Sequence, residues 1–147
     1  MKRTLCALLA LLCLLLAACG SKTGEPATGS ADAAENAAPV KIETPYGDLT
    51  FPGGWGDQLK TETEQDGERL FVHFRANIAN QQFDLFDVTI APDEGDNVGT
   101  IKAADGTVRN VFVEIFDLDA DGLSTDDQDT LFAMQEGVND LIDALSK

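Results

Sequence analysis

Through the middle of the chain apolar and polar residues alternate with a period of two, and at its end the apolar residues recur every three to four positions. Leu70, Val72 and Phe74 alternate with Phe71, His73 and Arg75, and Phe86, Val88 and Ile90 alternate with Asp87 and Thr89, so two strands are predicted with one buried face each. Val111, Val113 and Ile115 point one way and Phe112, Phe116 and Leu118 the other. The strand from Thr107 to Leu118 is therefore apolar on both sides and is expected to be central. Val40–Glu43 and Leu49–Phe51 read as a short hairpin around Pro45-Tyr46-Gly47-Asp48, while Asp66-Gly67 and Asp105-Gly106 supply turns between further strand pairs.

After the last strand the pattern changes. Leu131, Met134, Val138, Leu141, Ile142 and Leu145 form one apolar stripe on a C-terminal helix. The stripe lasts barely two heptads, which favours packing on a sheet over a coiled coil. The pattern as a whole predicts an α+β domain, an antiparallel β-sheet meander packed against a C-terminal α-helix, over residues 40–147. That is about a hundred residues, enough for one core.

The first 39 residues follow neither period. Lys2 and Arg3 precede the apolar run Leu5–Leu16, which as a helix rises roughly 18 Å at about 1.5 Å per residue, short of the ~30 Å hydrocarbon layer. This is the order of a signal peptide, expected over 1–18. Leu16-Ala17-Ala18-Cys19 resembles the lipobox of bacterial lipoproteins, which implies a lipid on Cys19. Cys6 and Cys13 follow bulky residues and do not fit. Residues 19–39, rich in Gly, Ala, Ser, Thr, Pro and acids, cannot build a core and read as a flexible tether of roughly 25 Å root mean square span. The expected location is the extracytoplasmic face of a cell membrane, with the membrane itself as a partner through Cys19.

Loss of Lys2 and Arg3 with the leader moves the formal charge from −16 to −18. Such a field disfavours nucleic acid and anionic surfaces. Loss of Cys6 and Cys13 leaves no thiol chemistry to the exported domain. His73 is the single histidine, with no second histidine to share a metal, so it reads as a sheet-surface residue. The acids Asp84 with Asp87, or Asp93 with Glu94 and Asp96, have the type a glycoside hydrolase acting on envelope or dietary glycans needs, but nothing in their spacing selects that work. No catalytic residue, metal or cofactor is assigned.

Two stretches stand out. In "TPYGDLTFPGGW" the aromatics Tyr46, Phe51 and Trp55 sit among prolines and glycines. Tyr46 and Trp55 are candidates for a binding surface, while Phe51 and Trp55 also suit a plug at one end of the core. In "DLDADGLSTDDQD", Asp117, Asp119, Asp121 and Gly122 fall on positions 1, 3, 5 and 6 of an EF-hand loop, but position 12 is Gln128 and a strand stands where the entering helix belongs. The favoured reading makes Ser124 a helix N-cap, with Asp126 and Asp127 in the positive first turn. Calcium affinity is then expected to be no tighter than about 10⁻⁴ M, with weak calcium binding through Asp117–Gly122 as the alternative.

The lipobox, the "TPYGDLTFPGGW" turn and the "DLDADGLS" entry to the last helix resemble a group of small uncharacterised lipoproteins of Gram-positive bacteria, which pair a tether with one domain. The Pro-Gly-Gly-Trp turn after a first hairpin is also similar to the PsbP-type α/β sandwich. That resemblance implies a non-catalytic binding or assembly role toward an envelope protein or ligand.

Overall fold

The computed structural model describes residues 38–146. The leader, Cys19 and most of the tether lie outside these residues. The described part is an α+β domain whose antiparallel sheet packs against the C-terminal helix, as the two periods predict.

Strands β1 (Val40–Thr44) and β2 (Gly47–Phe51) form a hairpin, with Thr44 opposite Gly47 and Pro45-Tyr46 at its corner. A single 3-10 turn, Gly56–Gln58, leads into the main sheet of β3 (Leu59–Asp66), β4 (Arg69–Ile78), β5 (Gln81–Ala91), β6 (Gly99–Lys102) and β7 (Val108–Ile115). The spatial order is β3-β4-β5-β7-β6, all antiparallel. The meander runs through β3, β4 and β5. The next strand, β6, then takes the outer edge, and β7 returns between it and β5. The strand that is apolar on both faces thus gains a neighbour on each side, as expected, and it ends at Ile115 rather than Leu118.

The turns differ in detail from the simplest reading. Asp66 pairs with Arg69, so Gly67 and Glu68 are the central residues, and Gly67 alone of the two has positive φ, as a type II′ turn requires. Between β4 and β5 the central residues are Ala79 and Asn80, both at positive φ (50° and 62°). That is the pattern of a type I′ turn made without glycine, which is why composition did not reveal it.

Leu70, Val72, Phe74, Ala76 and Ile78 of β4 and Phe86, Val88 and Ile90 of β5 are buried on one sheet face. Helix α1 (Thr125–Glu136) lies on β4 and β5, and α2 (Val138–Leu145) lies beside β2 and β6, so hairpin and helix share the covering layer. The two segments form one helix interrupted at Gly137. Gly137 N–H still donates to Ala133 O and Leu141 N–H to Gly137 O, each at 3.3 Å. Leu131, Met134, Val138 and Leu141 are buried, so the stripe packs on the sheet side of the domain.

A bulge shapes the centre. Phe74 pairs with Phe86 but Arg75 with Asp84, leaving Leu85 as the extra residue on β5. Its carbonyl accepts from Phe116 N–H at 3.2 Å and from Gln135 Nε2 at 3.0 Å, and Gln135 Nε2 also reaches Phe116 O at 2.7 Å. One helix side chain therefore ties both strands to the cover.

Candidate functional site

Ser124 caps the helix as its spacing requires. Its Oγ accepts from Asp127 N–H at 3.2 Å and donates to Asp127 Oδ2 at 2.7 Å. Gln128 does not act as a twelfth-position ligand: its Nε2 donates to Ala120 O at 3.2 Å and to Leu123 O at 3.3 Å, which closes the loop before the helix. Among the described residues no three His, Cys, Asp or Glu side chains converge as a metal-holding group. Ser124→Ala removes the cap and is expected to lower stability by about 1 kcal/mol, read from the midpoint of urea unfolding; a change within experimental error would refute the cap's energetic role.

Three of the acids considered as catalytic pairs are engaged with basic side chains. Asp84 accepts from Arg75 Nε at 2.8 Å, Asp87 Oδ1 lies 2.9 Å from His73 Nδ1, and Asp93 Oδ2 is 2.9 Å from Arg69 Nε. These pairs lie along the sheet face opposite the helix, where the His73 ring also stacks on Phe71 with centroids 6.4 Å apart. Asp84 additionally borders an open recess of about 350 Å³ with Phe83, Phe116 and Asp117.

Trp55 and Tyr46 part company. Gly54 and Gly56 have φ of 95° and 53°, and the turn they allow folds Trp55 inward until 8% of it remains exposed. Trp55 joins the core cluster beside Phe51, and its Nε1 has no hydrogen-bond partner. It serves the core, so of the two proposed surface residues Tyr46 alone remains available.

Tyr46 stands where three hairpin turns meet. Its hydroxyl donates to Glu68 O at 3.3 Å and accepts from Gln65 Nε2 at 3.4 Å, at the end of the β3-β4 hairpin. Its ring is covered by the guanidinium of Arg109, with Cζ 5.3 Å from the centroid. Arg109 stands on β7 opposite Ile101, and its Nη2 donates to Glu68 Oε1 at 3.3 Å. Its side chain is 17% exposed, and its Nε is buried with no partner.

Beside these groups Pro45, Tyr46, Ala103, Ala104, Asp105, Thr107 and Arg109 enclose a cleft of about 280 Å³. The β6-β7 loop forms its far wall, closed by Ala103 N–H to Thr107 O at 2.8 Å and Gly106 N–H to Ala103 O at 2.9 Å. Asp105 Oδ1 accepts from Thr107 N–H at 2.8 Å. That backbone bond first, then the Thr107 hydroxyl and the charge of Arg109, hold the Asp105 carboxyl below its ordinary range, so it is ionised at neutral pH. Because its folded value is lowered, the stability it contributes is present above the ordinary carboxylate range and is lost as pH falls through the lowered value.

Sequence reasoning found Tyr46 but not Arg109 or Asp105. Arg109 looked like one polar position in a strand, and nothing local shows that Glu68, 41 residues earlier, would lie beside it. No helix among the described residues is long and apolar enough to cross a membrane. Comparison with protein families, curated proteins and solved structures finds no match.

Proposed function

We propose that the chain is an exported lipoprotein, held on the extracytoplasmic face of a membrane by a lipid on Cys19, whose domain binds a small ligand or a partner's terminus without transforming it. The leader supports the location: a basic start, an apolar run too short to span and small residues before Cys19. One methylene of buried acyl chain contributes about 0.8 kcal/mol, and two chains hold a domain stably where one is marginal.

The observation that carries the binding role is the cleft between the β1-β2 and β6-β7 turns, where Tyr46, Asp105 and Arg109 line one space. Turns on a packed sheet are also where binding residues concentrate, because the scaffold holds them while their sequence is free to vary.

Cys19→Ala is expected to release the protein from the membrane fraction or to stall it as precursor. Mass spectrometry of the wild-type protein is expected to find a lipid-modified Cys19 at the mature N-terminus. An unmodified Cys19, or a mature start elsewhere, overturns the anchoring. For the binding role, a thermal-shift screen of amino acids, sugars and small carboxylates should give hits that vanish in Tyr46→Ala, since a ligand at 100 times its Kd adds about 2.7 kcal/mol to the folded state. A screen without such hits overturns it.

A further inference from the structure

The cleft places two opposite charges within one small space, and that restricts what fits it. Arg109 lines it with a guanidinium whose Nη2 is shared with Glu68. Asp105 lines it with a carboxylate that is ionised and held in place by Thr107. Both line the same cleft, and the charge of Arg109 adds to the backbone bond from Thr107 in favouring the ionised form of Asp105.

A simple anion satisfies Arg109 but meets Asp105, Glu68 and the field of a strongly acidic chain. A simple cation satisfies Asp105 but is repelled by Arg109. A compact zwitterion meets both charges with the correct sign, its carboxylate on the guanidinium and its ammonium on Asp105. The volume of about 280 Å³ lies just below the range of drug-sized ligand sites, suited to an amino acid or dipeptide rather than a lipid or a sugar chain. Pro45 and Tyr46 give the wall a rigid, partly apolar edge against which a short side chain can rest.

Resting on the binding role proposed above, we infer that this cleft takes a small α-amino acid or the free zwitterionic form of a dipeptide, with Arg109 holding the carboxylate and Asp105 the ammonium group. Both ends of the ligand are then read by charge-assisted hydrogen bonds, which are stronger than neutral ones. An N-acylated or esterified ligand loses one of the two contacts.

The test uses ¹⁵N-labelled protein produced from its full sequence and purified in detergent, titrated with glycylglycine, acetate and ethylammonium at neutral pH. Glycylglycine is expected to bind saturably, with Kd roughly millimolar or tighter, shifting the amides of Tyr46 and of residues 104–109, while the two single-charge probes bind at least about tenfold more weakly. Asp105→Asn, an exposed and nearly isosteric change, should weaken glycylglycine at least about tenfold with the melting temperature nearly kept, and Arg109→Lys should do the same because a point charge replaces the fork. If acetate or ethylammonium alone binds the cleft as well as glycylglycine does, or if Asp105→Asn leaves the affinity unchanged, the zwitterion is wrong while the binding cleft stands. If none of the three probes shifts the cleft amides, both the zwitterion and the cleft reading fall.

Discussion

Phe51→Ala is expected to lower the stability of the domain by about 3–5 kcal/mol, the cost of deleting a large buried aromatic and leaving its cavity. Phe51 ends the first hairpin, is fully buried, and lies 5.2 Å from the Phe74 ring and 5.7 Å from the Phe86 ring, which themselves stack at 4.4 Å. Through these rings the first hairpin of the covering layer reaches β4 and β5. A domain of this size has roughly 5–15 kcal/mol in total, so the loss removes a large share of it. Urea unfolding should show the midpoint falling steeply, and Phe51→Leu, which keeps most of the volume, should cost well under half as much. A loss below about 1 kcal/mol for the alanine variant would mean that the hairpin is not part of the cooperative unit.

Gly137→Ala is expected to destabilise, against the usual direction for a helix. In an exposed helix interior the exchange adds about 1 kcal/mol of stability, and Gly137 already has helical φ and ψ of −56° and −17°. Here an added Cβ would lie 2.8 Å from two carbons of the Phe51 ring and 3.2 Å from Met134 O. The ring is buried on every side and cannot withdraw, so overpacking of about 1–3 kcal/mol outweighs the helical gain. The decisive measurement is a double-mutant cycle. With Phe51→Leu in place the clash is relieved, and Gly137→Ala should turn stabilising or neutral; destabilisation of equal size in both backgrounds would refute the packing argument.

These two residues also mark how far reading along the chain reaches. The stripe from Leu131 to Leu145 predicts one helix, and one helix forms, but Gly137 within it sits against a ring 86 positions earlier in the chain. Likewise Phe51 and Trp55 are visible in "TPYGDLTFPGGW" as either surface or core, and only the fold decides for the core. Tyr46 was legible as a binding candidate because an aromatic on a Pro-Gly turn is unusual. Its neighbours Arg109 and Asp105 were not, since both belong to the β6-β7 hairpin, far from Tyr46 in the chain, and look ordinary there.

What the sequence determined by itself is what depends on residues within a few positions of one another. The period of two in β4 and β5, the helical stripe and the cap of Ser124 on Asp127 all follow from side-chain direction and from local hydrogen bonds. The leader and lipid-bearing Cys19 proposed above rest on the same kind of local pattern. Tertiary structure decided the insertion of β7 between β5 and β6, the bulge at Leu85 with its carbonyl taken by Gln135, and the meeting of three turns around Arg109. Those features pair groups tens of residues apart, and such pairs carry no local signature. They arise when one core must be filled and each buried polar group must find its partner in three dimensions.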